Sequence, residues 1–125
     1  MKLQSDPHYG ANTITGYGDG YVEINKTPYA HAVVLSSDGA ITEWSVKSYA
    51  DLEAHHFSQL IDLKPELILI GTGKRQRFPK PELLKALISA KIGFEIMDSQ
   101  AACRTYNILV GEGRQVLLAL IVEAD

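Results

Sequence analysis

Hydrophobic and polar positions alternate along the first half of the chain, and turn residues interrupt them at short intervals. Gly18-Asp19-Gly20 is a loop of residue types that tolerate positive φ, and the alternating segments on either side of it predict a β-hairpin. Further turns are expected at 25–28 and 36–39. The pattern is typical of an antiparallel meander, with strands predicted at 14–17, 21–24, 29–35 and 41–46.

After residue 48 the hydrophobic period becomes helical. Ser48 and Asp51 have the spacing of a capping box and predict a first helix that ends before Pro65. Pro79 and Pro81 suit the start of a second helix, and a third begins near Ser99. The expected buried faces of the three helices are Leu52, Phe57, Leu60 and Ile61; Leu83, Leu84, Leu87 and Ile88; and Ala102, Tyr106, Leu109 and Val110.

Aliphatic runs separate these helices at 66–70, 94–97 and 115–122, as expected of strands covered on both faces. The second half therefore predicts a β-α-β-α-β unit, whose right-handed crossovers would place the strands in one sheet with the helices packed on it. The predicted fold class is α/β, bordering on α+β: a mixed sheet with a C-terminal β-α-β-α-β unit and an N-terminal antiparallel β layer.

Size and composition indicate a globular protein. The 125 residues are 46% hydrophobic and 22% charged, which predicts a single domain over 1–125 with a flexible N-terminal segment at 1–12. A net charge of −3 argues against non-specific nucleic-acid binding. Only Cys103 carries a thiol, and no apolar run approaches the roughly 20 residues that span a bilayer. We therefore expect a soluble, cytoplasmic protein with no nucleic-acid partner, and the oligomeric state stays open.

The segment LILIGTGKRQRF, residues 67–78, delivers a glycine loop from a predicted strand. A P-loop ending at Gly73-Lys74 would need its first glycine at Ile68 and a hydroxyl residue in place of Arg75. The dinucleotide fingerprint would need a glycine where Gln76 stands. Neither nucleotide motif is present.

A geometric possibility survives. If the strands ending at 70 and 97 are parallel neighbours, the Gly71-Thr72-Gly73 loop lies beside Asp98-Ser99 and the start of the third helix, where free amides favour an anion. The loop adds four positive charges without an acidic residue: Lys74, Arg75, Arg77 and Lys80. One interpretation is a small anion or phosphate site. The alternative is a tight turn followed by a solvated basic loop, which is the commoner situation for charge runs.

Other reactive residues point to structural roles. Cys103 has no histidine placed beside it by any motif, and a packed thiol is the commoner state. The adjacent pair His55-His56 lacks the spacing that binds one metal. Asp98 is explained by helix capping, whereas Tyr106 and Asn107 could contact a ligand or brace the core. We expect no catalytic residue, metal or cofactor.

Three segments resemble a domain family of unknown function: PELILIGTG at 65–73, GFEIMDSQAACRTYNILVGEGRQVLLAL at 93–120 and ITGYGDGYVEIN at 14–25. This family includes the mitochondrial complex I (NADH:ubiquinone oxidoreductase) assembly factor 3 and an adipogenesis-associated Mth-type domain protein. The resemblance implies a compact domain with a mixed sheet and no established enzyme activity. The positions that match the family's motif are Gly71, Gly73, Asp98, Ala102, Arg104, Thr105, Tyr106, Asn107 and Gly113.

Two hypotheses follow. The first is a non-enzymatic binding or assembly-factor-like module with a protein partner. The second is a small-molecule or anion-binding protein or enzyme that uses the glycine loop and the helix after Asp98. The second hypothesis assigns the site to Gly71, Thr72, Gly73, Lys74, Arg75, Arg77, Asp98, Ser99, Arg104, Tyr106 and Asn107. An open pocket lined by these residues would favour the second, and polar groups satisfied within the protein would favour the first.

Overall fold

The computed structural model describes residues 11–124, so most of the segment 1–12 that was expected to be flexible lies outside the described residues. Its strands are β1 Ile14–Gly18, β2 Tyr21–Ile24, β3 Thr27–Tyr29, β4 Val33–Ser36, β5 Thr42–Glu43, β6 Leu67–Gly71, β7 Gly93–Met97 and β8 Leu117–Leu120. The α-helices are α1 Ala54–Ile61, α2 Pro81–Ser89 and α3 Ser99–Gly111, and a single 3₁₀ turn spans Tyr49–Asp51.

The strands form two sheets. β1, β2 and β3 make an antiparallel three-stranded sheet, and the other five follow the order β5-β4-β8-β6-β7. β6 is parallel to both β7 and β8, whereas β4 is antiparallel to its two neighbours. This arrangement confirms the mixed sheet, the C-terminal β-α-β-α-β unit and the antiparallel N-terminal layer.

The five-stranded sheet is covered on both faces, which explains its continuous aliphatic runs. Ile68 and Ile70 belong to a core cluster that includes apolar residues of α1 and α2. Leu69, between them, belongs to a second cluster formed with α3 and the three-stranded sheet. The N-terminal sheet therefore lies on the same side of the main sheet as α3, where it borders the carboxyl end of β8.

The single strand predicted at 29–35 is wrong, because the chain changes sheets within it. Tyr29 ends β3, which pairs with β2, whereas β4 begins at Val33 and pairs with β8. Apolar residues lie on both sides of the crossing, so the hydrophobic pattern does not indicate that the two halves have different partners. The preceding turn is also shorter than predicted, since only Asn25 and Lys26 adopt positive φ.

The first helix begins later than predicted. Ser48 and Asp51 close only a 3₁₀ turn, after which Leu52 is extended and buries its side chain. α1 is started instead by a capping box in which Glu53 and His56 exchange hydrogen bonds. Two capping sites, at Ser48 and at Glu53, could each start this helix, and the burial of the extended Leu52 favours the second.

Two smaller expectations are also wrong. Only Thr42–Glu43 of the segment 41–46 pairs as a strand, since Trp44 and Val46 follow an irregular path into the core. Ile88, assigned to the buried stripe of α2, is 57% exposed near the end of that short helix. The third helix is as predicted, with Ala102, Tyr106 and Val110 buried.

Candidate functional site

The glycine loop and the start of α3 lie side by side, as expected from parallel pairing of β6 and β7. Gly71 pairs with Met97 in the ladder, and the Thr72 amide continues it by donating to the Met97 carbonyl at 2.9 Å. The Gly73 amide then donates to Ser99 Oγ, and the Ser99 amide donates back to the Gly73 carbonyl, both at 2.8 Å. The loop and helix therefore form a hydrogen-bonded junction.

The donors at this junction are largely used within the protein. Ser99 Oγ donates to the Ile121 carbonyl at 2.6 Å, and Asp98 Oδ1 caps the helix by accepting from the Ala101 amide at 2.8 Å. A Cβ at position 71 would lie 2.9 Å from Ser99 Oγ and closer still to Leu120, so the glycine permits the close approach of the elements. These contacts account for Gly71, Asp98 and Ser99 as a structural joint.

Arg77 folds back under the loop and pairs with Glu123. Its Nη2 donates to both Glu123 oxygens at 2.8 and 2.9 Å and to the Thr72 carbonyl at 2.6 Å. The guanidinium also lies 4.6 Å from the centre of the Tyr49 ring, within cation–π range. With side chains 25% and 19% exposed, Arg77 and Glu123 form a largely internal ion pair.

The environment of Glu123 favours its charged form. Burial alone would raise the pKa of this carboxyl group, but hydrogen bonds from the Lys74 amide, Arg77 and the Tyr49 amide, together with the Arg77 charge, lower the pKa below its ordinary value. Thr72, fully buried, completes this part of the loop by donating to the Arg75 carbonyl at 2.7 Å. We call Thr72, Arg77 and Glu123 the inner network.

The remaining loop residues differ in their surroundings. Lys74 Nζ forms an ion pair with Asp19 of the β1–β2 turn at 2.7 Å. Arg75 and Lys80 are exposed, and within residues 11–124 neither takes part in an ion pair. Phe78 is 69% exposed between them. The positive loop is therefore half neutralised by internal partners and half presented to solvent.

The three polar residues predicted farther along α3 do not converge on the glycine loop. Asn107 accepts from the Ile14 amide at 2.9 Å and donates to the Ile14 carbonyl at 2.7 Å, so its amide acts as a strand partner for β1. Tyr106 is buried and donates to the Asn12 carbonyl at 2.8 Å. Arg104, exposed, donates to the hydroxyl of Tyr17 at 3.1 Å. Asn107 and Arg104 tie α3 to the N-terminal sheet, and Tyr106 ties α3 to the segment that leads into it.

A cavity of about 300 Å³ opens between the two sheets beside this junction. Its lining includes Gly73, Lys74, Ser99 and Cys103, together with Asp19 and Glu123. Cys103 is only 1% exposed, and burial raises the pKa of its thiol to about 12. The thiol is therefore protonated at neutral pH and is a poor nucleophile there.

The histidine pair is used structurally, as predicted. His56 is buried, and its ring nitrogens bond to the Glu53 amide at 2.9 Å and the Ser45 carbonyl at 3.0 Å. His55 is half exposed. Trp44 is buried and donates to the His56 carbonyl at 3.3 Å.

The sequence interpretation missed three residues of this region. Glu123 and Asp19 neutralise two of the four cations, and Phe78 stands exposed beside the other two. Glu123 follows β8, which is parallel to β6, so it lies at the same carboxyl end of the sheet as the glycine loop. A sequence prediction that placed β8 beside β6 would have indicated this contact. The exposure of Phe78 has no sequence signal, because an isolated apolar residue in a loop is as often buried.

Comparison with known proteins shows the family to which the chain belongs. Residues 14–121 match the family model described as "Protein of unknown function (DUF498/DUF598)". The chain is 37% identical over 84 residues to the NADH dehydrogenase [ubiquinone] 1 alpha subcomplex assembly factor 3 of Bos taurus, covering 66% of this chain and 46% of that protein. It thus spans about half the length of that relative.

Two other similar proteins match nearly end to end. One, the "13 kDa major membrane protein" of Francisella tularensis subsp. holarctica, is 30% identical over 97% of this chain and 99% of its own. The other, a solved Bordetella pertussis structure described as a Mth938-like domain, is 38% identical, with a TM-score of 0.84 over 100% of this chain and 94% of its own. In residues 11–124, no helix has the length and apolar character needed to cross a bilayer. The chain belongs to the DUF498/DUF598 family.

Proposed function

We propose that this chain is a non-enzymatic protein-binding module that assists the assembly of a larger complex. The observation that carries the proposal is the internal use of the polar side chains that match the family motif. Asn107 bonds to the backbone of Ile14, Tyr106 bonds to Asn12, and Asp98 caps the start of α3. These side chains hold the fold together, so the motif supports a scaffold whose surface meets a partner.

The names of similar proteins support the same role. Several relatives are called complex I assembly factor 3, although the chain matches only about half of each. The bacterial relative of similar length is named a membrane protein. Among the described residues of the present chain, no helix is long and apolar enough to cross a membrane. We therefore extend the proposal to a cytoplasmic module that acts during the maturation of a membrane complex.

The proposal is tested by cross-linking in the native host followed by isolation of the tagged chain. A second tagged protein of similar size and charge, expressed at the same level, serves as the control. We expect one or a few proteins to be recovered with this chain in reproducible ratio and not with the control. Recovery of the tagged chain alone, after cross-linking efficient enough to trap a known complex, would contradict the proposal.

The cavity beside the glycine loop favours a second candidate function. Its lining combines the Gly73 backbone, the Lys74 ammonium and the Ser99 hydroxyl with an apolar floor, and such clefts suit small polar ligands. Of the residues that the sequence assigned to a ligand site, this candidate retains Gly73, Lys74 and Ser99, which line the cavity, as a site for a small anion or polar molecule. Asp19 and Glu123 oppose an anion there, which is why it stands second.

Titration with inorganic phosphate, followed by amide NMR shifts, separates this candidate from the first. If an anion binds in the cavity, the Gly73, Ser99 and Gln100 amides shift saturably, and Lys74→Ala weakens the effect more than Arg75→Ala, since Arg75 is outside the lining. No saturable shift at these amides at millimolar phosphate would remove phosphate as the ligand.

A further inference from the structure

The outer edge of β7 is an unpaired edge within the described part of the chain. β7 is the last strand of the five-stranded sheet and, among the described strands, pairs only with β6. The Met97 carbonyl accepts from Thr72 on the β6 side, and backbone groups alternate sides along a strand. Phe94 and Ile96 therefore direct their amides and carbonyls outward, away from β6.

One of these outward groups is already covered by the basic loop. Gln76 Nε2 donates to the Ile96 carbonyl at 2.8 Å, so the loop crosses the carboxyl end of the edge. The contact shows that an amide group fits against this edge with hydrogen-bond geometry. The amide and carbonyl of Phe94 and the amide of Ile96 lie next to it along the strand.

The same contact brings the loop that carries exposed cations and an aromatic ring to within a few residues of the edge. Gln76 lies between Arg75 and Arg77, and Phe78 and Lys80 follow. Arg77 is fixed to Glu123 and Pro79 is buried, so the loop that carries the exposed side chains is anchored on both sides of Phe78. A ring held on an anchored loop loses little conformational freedom when it binds a partner. We call Arg75, Phe78, Lys80 and the outer edge of β7 the outer surface.

We infer that the outer surface binds an extended segment of a partner protein that combines apolar and acidic residues. The segment would pair with the Phe94 and Ile96 backbone as an added strand, which is an established mode of peptide recognition. Its apolar side chains would contact Phe78, and its carboxylates would meet Arg75 and Lys80. This inference rests on the proposed function and names the kind of partner the module takes.

Charge favours a different protein over a second copy of this chain. A two-fold pairing of β7 with itself is antiparallel, so the carboxyl end of one strand would meet the amino end of the other. That amino end follows Lys91, an exposed residue, and the carboxyl end lies beside Arg75 and Lys80. Self-pairing would therefore bring these like charges together, whereas a segment whose acidic residues face Arg75 and Lys80, and not the exposed Glu95 of β7, brings opposite charges together. A lipid surface would leave the outward amides of β7 without a strand partner.

The direct test uses a synthetic eight-residue peptide that alternates Val and Glu, titrated into the ¹⁵N-labelled protein. We expect saturable shifts of the Phe94, Ile96 and Phe78 amides, with binding in the sub-millimolar range. A matched peptide with Lys in place of Glu should bind at least tenfold more weakly. Absence of shifts at these amides up to 2 mM, or equal binding of the Lys peptide, would overturn the inference.

A pair of variants tests the assigned residues without threatening the fold. Phe78→Ala should weaken peptide binding at least fivefold, since it removes the exposed ring. Ile108→Ala is the control, because Ile108 is similarly exposed at 61% but lies on α3, on the other side of the sheet. Unchanged affinity for Phe78→Ala, or an equal loss for Ile108→Ala, would contradict the assignment.

The other occupants have their own signatures. Sedimentation of the protein with phosphatidylglycerol vesicles that disappears in Phe78→Ala would replace the peptide with a membrane surface. A concentration-dependent dimer abolished by the same change would replace it with a second copy. If the host cross-linking recovers a partner equally well with Phe78→Ala, the module function stands and this surface assignment fails. If the peptide binds but no host partner is recovered, the surface stands and the module function fails.

Discussion

One loop has two faces with opposite chemistry. On its inner face, Thr72 and Arg77 use their polar groups on the Arg75 carbonyl, the Thr72 carbonyl and Glu123. On its outer face, Arg75 and Lys80 are exposed beside a ring that is 69% exposed. Arg75, Arg77 and Lys80 lie within six residues and carry the same charge, yet of these three only Arg77 forms an ion pair within the described part of the fold.

The difference shows that charge in a sequence does not by itself indicate binding. Four cations in seven residues suggest one anion site, but two of them are neutralised by acidic residues distant in sequence. Arg77 directs Nη2 to both Glu123 oxygens and buries its Nε, so its guanidinium is turned towards the fold and not towards a ligand in solvent. The surface available for recognition is therefore the half of the loop that lacks such partners among residues 11–124.

The largest expected effect comes from filling the space at Gly73. This glycine has a φ of +100°, and an added Cβ would collide with the Glu123 carboxylate and the Arg77 guanidinium. Gly73→Ala should lower the free energy of unfolding by about 3–5 kcal/mol, because it strains the backbone and displaces the ion pair. Urea denaturation measures the loss.

Gly113→Ala is the matched control for that substitution. Gly113 also has a positive φ, +81°, but an added Cβ would meet nothing within 4 Å. Its cost should be limited to about 1–2 kcal/mol of backbone strain. Equal losses for the two variants would show that the inner network contributes nothing beyond backbone conformation.

Replacing Arg77 should lower the stability of the protein much more than replacing Arg75. Arg77→Ala removes the hydrogen bonds to Glu123 and Thr72 and leaves the carboxylate unpaired, at a cost of about 2–3 kcal/mol. Arg75→Ala should stay within about 0.5 kcal/mol of the wild type because its side chain is exposed. Thermal and urea denaturation of both variants provide the comparison, and similar losses would erase the distinction between the two faces.

Asn107 should show a structural effect of intermediate size. Asn107→Leu leaves the backbone amide and carbonyl of Ile14 without their partner, which should cost about 2 kcal/mol. Arg104→Ala, an exposed change on the same helix, should cost less than about 0.5 kcal/mol. A destabilisation of Arg104→Ala as large as that of Asn107→Leu would contradict the clamp.

The smallest expected effect is the loss of stability at acid pH that comes from Glu123. The pKa of Glu123 is lower in the folded than in the unfolded chain. Between these two pKa values the folded state therefore binds fewer protons than the unfolded state. This contribution to stability is complete above the unfolded pKa of about 4.5 and is lost as the pH falls through the folded value. Protonation leaves an oxygen that still accepts a hydrogen bond, so the loss should be smaller than that of Arg77→Ala.

Urea denaturation between pH 3 and 7 tests this linkage with Glu123→Gln as the reference. The variant removes the titrating group while other carboxylates remain. The difference in free energy of unfolding between wild type and variant should shrink as the pH falls below 4.5. A constant difference across this range would show that the charge of Glu123 is not stabilised by its neighbours.

Much of the fold was predictable because local patterns and global packing agree. The aliphatic run of β6, the capping residue Asp98 and the buried face of α3 each indicated their element correctly. The sheet change after Tyr29 was not predictable, since apolar residues indicate burial and not the identity of the neighbouring strand. The start of α1 was missed because two capping motifs lie five residues apart and only tertiary burial of Leu52 decides between them.

Only part of the candidate site could be predicted from the sequence. Parallel pairing correctly brought Gly71–Gly73 to Asp98 and Ser99, because that contact follows from topology alone. The partners of Lys74 and Arg77 could not be predicted, since Asp19 and Glu123 arrive from two other strands whose positions the sequence leaves open. Long-range ion pairs depend on the finished arrangement of the sheets.

The most direct measurement is photo-cross-linking in the native host, with p-benzoylphenylalanine introduced in place of Phe78 or of Ile108. Both positions are exposed, but only Phe78 belongs to the outer surface. We predict a discrete adduct from position 78, attached to an extended acidic segment of another protein, and none from position 108. Equal adducts from both positions, or none from either, would contradict the account.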